Sequence, residues 1–405
     1  MQTLRRIDSL DGLRFIAAVA VMIAHLGLWQ VLLHGPLEFD HMAPFTWFVL
    51  HLANFGMTLF FVLSGFVIHM NYRDVVRRKG GTSRFFLARW SRLYPLFLVV
   101  FVGGWLHLAI VNGITRALVE PVPLYVGFID TWWFWPIQGV AAASAYQEPA
   151  LGVMWSLATE MFFYCSYPFI ALAISRLRPR QSLGGMALVG IAAICVGSFV
   201  ILRSGVVLTA AEAMIGNVDG GRFIHWLAFN SPWLRIFEFL SGCLAAQFCA
   251  SLRLRPMHAD ALAATALTIV TGMFIAMFVT HSPLGALDTT LVAPCFAALC
   301  MAAAAPRSVV SRLFSHRAMV WGGEASYSLY LLHSSVLVTL SMPSVGLYRS
   351  DAPALWAAAS AIIAIRLSRV CYVFYERPAP RFFRRPGEQW LDRRLVAQSA
   401  TNLSS

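Results

Sequence analysis

The chain has 405 residues, 59% of them hydrophobic and 12% charged, with a formal net charge of +12. Soluble domains average about 25% charged residues, so the composition excludes a single water-soluble core and belongs to the membrane class. The positive charge does not read as a nucleic-acid footprint, because the basic residues sit in short segments between apolar runs, as cytoplasmic loops do.

Apolar runs of about 20 residues, enough to cross roughly 30 Å of hydrocarbon, recur along the chain. They predict helices at 12–33, 46–70, 94–112, 153–174, 184–202, 233–250, 260–280, 286–305, 322–341 and 353–374. Only helices and closed barrels satisfy the backbone in lipid, and the alternation of barrel strands is not seen. The expected fold is therefore an all-α, polytopic transmembrane bundle of about ten helices, multi-pass in the cell inner membrane. With the N-terminus inside, 26 of the 31 Lys and Arg residues fall on the cytoplasmic side, Arg116, Arg203, Arg222, Arg235 and Arg349 fall on the outer side, and both termini are cytoplasmic. Residues 122–142, with Trp132, Trp133 and Trp135, are apolar enough for an eleventh span. A crossing there would turn every later basic loop outward, so an aromatic interfacial or re-entrant segment is the better reading. Residues 1–385 read as the membrane domain and 386–405 as a polar, loosely ordered cytoplasmic tail. The seven cysteines lie in apolar stretches without CxxC spacing and read as small core residues.

Ionisable groups inside spans are expensive and usually face the bundle interior or a water-filled cavity. The first helix, DGLRFIAAVAVMIAHLG, carries Arg14 and His25 eleven residues apart, nearly on one face and about 16 Å distant along the axis. Neutral imidazole near mid-membrane serves as a general base or, equally, as a hydrogen-bonded element of helix packing. The second helix contains FFVLSGF, whose Ser64–Gly65 pair permits close helix approach. The loop that follows carries RWSRLYP, with Arg89 and Arg92 just before the third helix. Such arginines are ordinary for a cytoplasmic loop, yet two of them three residues apart suit a phosphorylated ligand.

The fourth helix begins WSLATEMFFY, placing Ser156, Glu160 and Tyr164 on one face. The sixth contains Glu238 in RIFEFLSG. The ninth, SYSLYLLH, aligns Ser326, Tyr330 and His333 in a polar stripe that reads as a cavity lining. The tenth carries Arg366 and Arg369, read as snorkelling to the cytoplasmic surface, and closes on YERP with Glu376.

In this order, DGLR with Arg14 and His25, FFVLSGF, RWSRLYP, WSLATE, SYSLYLLH and YERP resemble the acyltransferase-3 family of integral membrane acyltransferases. The resemblance runs from residue 11 to 378. It implies transfer of an acyl group, commonly acetyl from acetyl-CoA, to a hydroxyl of a surface polysaccharide, lipopolysaccharide sugar, other glycan or macrolide. It makes His25 the catalytic histidine, with Glu160 beside it, and gives Arg14, Arg89 and Arg92 the CoA phosphates. Trp155, Ser156, Tyr330 and His333 support the site or its acceptor side, Glu376 is a weaker carry-over, and no metal is implied. The implied partners are acyl-CoA, a hydroxyl-bearing acceptor and the bilayer, with no nucleic acid.

Two departures stand out. Many relatives have an acidic residue before FFVLSGF, where this chain has Met57–Thr58, so the supporting carboxylate is either missing or supplied by Glu160. Relatives with a C-terminal hydrolase-like domain contrast with this chain, which reads as the stand-alone form. The alternative function is a proton-coupled transporter using the intramembrane His and Glu residues. It calls for inverted repeats and broken helices in matching halves, which the sequence does not display.

Overall fold

The computed structural model describes residues 6–34, 44–134, 149–216, 218–280, 287–341 and 353–401. Each of the ten expected spans coincides with a helix: α1 (Asp8–His34), α2 (Pro44–Tyr72), α3 (Gly81–Asn112), α4 (Trp155–Ile174), α5 (Pro179–Leu202), α6 (Pro232–Ser251), α7 (Pro256–Thr280), α8 (Leu287–Ala304), α9 (Ser326–Ser341) and α10 (Pro353–Cys371). An eleventh helix, α11 (Ala379–Thr401), follows, and no strand occurs among the described residues. Seven helices, α1 to α5, α7 and α10, are long and apolar enough among the described residues to cross a membrane. Large apolar side chains such as Ile110, Phe169, Leu188, Ile275 and Ile362 point outward. In water they would form patches far beyond those a soluble monomer exposes; in a bilayer they face lipid.

α6, which with α8 and α9 falls outside those seven, explains the arrangement. It packs against α2, α4, α5 and α8, and most of its residues, including Arg235, Glu238 and Gln247, are buried. A helix screened from lipid on all sides needs no uniform apolar surface, so its charges do not conflict with its position.

The α2–α6 contact is closer than ordinary side chains allow. A Cβ added at Gly65 would lie 2.1 Å from the Phe239 carbonyl oxygen, and one at Gly242 would lie 2.0 Å from that of Val62. The obstructing atoms are backbone, so no rotamer change relieves the clash. Gly242→Ala is expected to destabilise the bundle by about 3 kcal/mol, the upper part of the usual overpacking range, read as a lowered unfolding midpoint of the purified protein.

Three expectations need correction. α3 begins at Gly81, thirteen residues before the expected 94, so RWSRLYP is helical and Arg89 and Arg92 lie inside α3 rather than in a loop. Its 32 residues extend about 48 Å, longer than the hydrocarbon layer. Two arginines ended the apolar run in sequence, but both turn toward the bundle interior, where they find polar company. Secondly, residues 386–401 continue in α11 rather than forming a loose tail. Gly387 there sits against Leu87 of α3, and Asp392 pairs with Arg84 at 2.5 Å. Thirdly, three of the cysteines, Cys243, Cys295 and Cys300, are buried, but Cys165 and Cys195 are exposed.

The segment after α3 doubles back along it. Trp105 donates to the Leu118 carbonyl at 3.1 Å, Phe101 meets Tyr125, and Phe128 packs on Phe97, Tyr94 and Trp90. Its helices are only four and five residues long, Arg116–Val119 and Val122–Val126, followed by turns to Phe134. These residues form no spanning helix. The expected segment 122–142 continues beyond 134 into residues outside the described ones.

An ion network ties the first residues of the chain to α10. Arg6 pairs with Asp11 (2.9 Å) and with Glu324 (2.8 Å) of the short helix Arg317–Glu324. Arg369 reaches the other Glu324 oxygen at 2.8 Å and the Trp321 carbonyl at 3.1 Å. Arg369 is thus a bridge between helices rather than a snorkelling charge. Burial alone would raise the Glu324 pKa, but hydrogen bonds from Arg369 and Arg6 outweigh it and hold the carboxyl below its ordinary value. A depressed carboxylate pKa contributes stability above its unfolded value, about 4.3, and loses it as pH falls through the folded value. Acidification through the carboxylate range is expected to lower amide protection, corrected for the intrinsic exchange rate, selectively at residues 6–11, with Glu324→Gln showing the lowered protection already at pH 7.

Candidate active site

α1 and α9 bring two histidines together. The rings of His25 and His333 lie 4.9 Å apart at 68°, with His333 Nε2 3.4 Å from His25 Nδ1. Each ring also has Nδ1 on a carbonyl one turn back: His25 on Val21 at 2.8 Å and His333 on Leu329 at 3.1 Å. A carbonyl only accepts, so each Nδ1 carries a proton and donates it. In the neutral rings the lone pair is then on Nε2. His333 Nε2 is met by the Ser334 hydroxyl at 3.2 Å. The helix backbone therefore selects the tautomer in which His25 Nε2 is basic.

A cavity of about 90 Å³ lies between α1, α2, α3, α4 and α9. Its charged and polar lining is Arg14 from α1, Ser64 from α2, Arg89 and Arg92 from α3, Ser156, Glu160 and Tyr164 from α4, and Ser326, Tyr327 and Tyr330 from α9. The polar face expected on α4 is thus real. Glu160 accepts from Ser64 at 3.0 Å and from Tyr164 at 2.5 Å. Ser156 donates to the Tyr330 hydroxyl at 2.6 Å, which donates in turn to the Val153 carbonyl at 2.8 Å. The Tyr330 ring lies 5.9 Å from that of His333. One polar cavity lining therefore runs from three arginines, past Glu160, to Ser156 and Tyr330, and the Tyr330 ring neighbours the histidine pair. His25 and His333 adjoin this lining without being part of it.

The arginines are held individually. Arg14 pairs with Asp11 at 2.7 Å, and Asp11 is shared with Arg6. Arg89 is 8% exposed; its Nη2 donates to Tyr72 at 2.8 Å, while its Nε has no partner among the described residues. A buried guanidinium donor without a partner is costly in a folded protein, and an anionic ligand would complete it.

Trp155 does not line the cavity. Its ring meets that of Phe61, a cavity-wall residue, edge-on at 6.1 Å, so it supports the wall from behind. Glu376 accepts from Ser328 at 2.5 Å, where a π-helical turn, Tyr372–Glu376, directs it inward. It fastens α10 to α9.

Sequence reasoning missed the polar centre of α6. Arg235 and Glu238 form an ion pair at 2.6 Å with side chains only 1% and 2% exposed. Arg235 also donates to the Phe229 carbonyl at 2.8 Å, and its guanidinium lies near the rings of Phe61 and Trp155. Thr58 is 3.3 Å from both Glu238 and Arg235. The carboxylate beside Met57–Thr58 therefore comes from α6, and Glu160, considered for that place, is engaged with Ser64 instead. The available signal was an Arg and a Glu three residues apart inside an apolar run. Counting Arg235 as an outer-side charge concealed it.

A family model described as an acyltransferase domain matches residues 7–373. The acyltransferase MdmB of Streptomyces mycarofaciens is 25% identical over 344 residues, covering 82% of this chain and 79% of the relative. The peptidoglycan O-acetyltransferase OatA of Listeria monocytogenes is 24% identical over 393 residues, covering 92% of this chain and 55% of the relative. A putative peptidoglycan O-acetyltransferase of Bacillus subtilis, YrhL, is 25% identical over 404 residues with the same two coverages, 92% and 55%. The chain thus spans about half the length of these last two relatives. No solved structure matches it.

Proposed function

The chain belongs to the acyltransferase-3 family of membrane acyltransferases, and from that premise we propose that it moves an acyl group, acetyl in the common family case, from cytoplasmic acyl-CoA to a hydroxyl of a glycan or other acceptor on the far side of the inner membrane. The observation that carries this reading is the polar cavity lining from Arg14, Arg89 and Arg92 to Tyr330, whose ring neighbours the His25–His333 pair. Family membership weighs against the transporter alternative.

In the proposed arrangement both termini are cytoplasmic, and the three arginines hold the CoA phosphates at the basic end of the bundle. The partnerless Nε of Arg89 is one donor suited to them. The pantetheine arm is slender, as a cavity of about 90 Å³ requires, and about 16 Å along α1 separates Arg14 from His25. His25 Nε2 takes the proton of the acceptor hydroxyl while that oxygen attacks the thioester carbonyl. The C–S bond breaks and CoA leaves as thiolate, to be protonated by the imidazolium or by water. In the other order, His25 Nε2 attacks first and an acyl-histidine passes the group on. Glu160, Ser156 and Tyr330 line the donor's path, and His333 holds the His25 ring. Peptidoglycan is named for two of the relatives; for this chain the acceptor class is a hydroxyl-bearing glycan or a comparable small molecule.

Purified protein given radiolabelled acetyl-CoA is expected to release CoA and label an acceptor; vesicle uptake without acyl chemistry would contradict the proposal. In the same assay Arg89→Ala is expected to raise the donor KM about 10- to 100-fold with little change in kcat. That is the size of one or two hydrogen bonds between charged groups. An unchanged KM would remove Arg89 from the donor site.

A further inference from the structure

A second cavity, about 260 Å³, opens between α3 and α4 and is lined by Phe86, Leu87, Arg89, Trp90 and Met161. It is apolar except for Arg89, which also lines the central cavity. α11 lies across α3 at this level: Gly387 rests on Leu87 and Asp392 pairs with Arg84. Beside the groove, α11 turns Phe382, Phe383 and Trp390 outward, 74%, 57% and 53% exposed. Its 23 residues carry five arginines against one Glu and one Asp, a net +3. Arg77 and Arg78, in the turn just before α3, are exposed at the same end.

Exposed aromatic side chains on an arginine-rich helix are the signature of a segment lying in the membrane interface. Its charge selects for anionic headgroups over zwitterionic ones. We propose that the α3–α4 groove with α11 above it is a binding site for an anionic phospholipid. One acyl chain runs along Phe86, Leu87, Trp90 and Met161, and the phosphate lies against Arg393 and Arg384 of α11, the latter paired with Glu388 at 2.7 Å. The lipid fills an apolar groove that water would wet poorly. It also braces the start of α3, the helix that carries Arg89 and Arg92.

The test uses the full chain in mild detergent with equal amounts of phosphatidylglycerol and phosphatidylcholine, followed by native mass spectrometry. Phosphatidylglycerol is expected to be retained about tenfold over phosphatidylcholine. Met161→Trp, which fills the groove, and the pair Arg384→Ser with Arg393→Ser should each reduce that retention about fivefold. Amide exchange of residues 379–401 in nanodiscs supplies an independent reading. It should slow about fivefold when phosphatidylglycerol joins phosphatidylcholine, even if Met161→Trp fails to fold. Equal retention of the two lipids, or exchange indifferent to phosphatidylglycerol, overturns the proposal. None of these readings depends on acyl transfer.

Discussion

Replacing His25 by alanine is expected to lower acyl transfer by about two to four orders of magnitude, the range associated with removal of a positioned general base, while the protein stays folded and inserted. The expectation rests on the tautomer selected by α1. With Nδ1–H committed to the Val21 carbonyl, Nε2 is the basic nitrogen and no rearrangement is needed before it accepts a proton. His25→Gln sharpens the test, since glutamine retains a donor for Val21 but offers no base of useful strength; it should be as inactive as alanine. His333→Ala is expected to be milder, about tenfold, because His333 acts through its contact with the His25 ring. Single-turnover transfer of radiolabelled acetyl by purified, thermally characterised variants measures all three. Wild-type rates in His25→Ala would remove His25 from the chemistry.

The second large effect concerns stability. Arg235→Met or Glu238→Leu alone is expected to destabilise the bundle by about 3–5 kcal/mol, because each leaves an uncompensated charge buried at the centre. The pair is nearly inaccessible, at 1% and 2% exposure, and neither charge has a route to water by rotamer change. The double variant is expected to recover most of the loss, since two charges of opposite sign removed together leave an apolar contact of similar volume. Unfolding midpoints of the four proteins form a double-mutant cycle. Additive losses would show that the two side chains act independently. Arg235 also lies near Phe61, in the cavity wall, and Trp155 behind it, so the single variants should lose activity at temperatures where the double variant retains it.

The ten helices were legible because each carries its own signal: a run of apolar residues long enough for the bilayer needs no tertiary information to be recognised. The polar residues of the cavity and the histidine pair beside it were legible for a related reason. Arg14, His25, Glu160, Tyr330 and His333 interrupt apolar runs at helical spacing, and lipid makes such interruptions expensive. Where a polar residue fell near a run's edge, the same logic failed. Arg89 and Arg92 truncated α3 on paper because charge there reads as loop. Arg235 was assigned to the outer surface, although its partner Glu238 is one turn away.

Sequence alone thus determined the class of solvent, the helices and the residues too polar for their surroundings, all of which depend on local composition and the bilayer. Tertiary structure alone decided which of those residues meet. The approach of Gly65 and Gly242 to facing carbonyls sets α6 inside the bundle. That placement gives Thr58 a carboxylate from a helix some 180 residues away. The His25–His333 contact joins residues 308 positions apart. No periodicity encodes such pairings, because they follow from how helix surfaces fit one another rather than from what each helix contains.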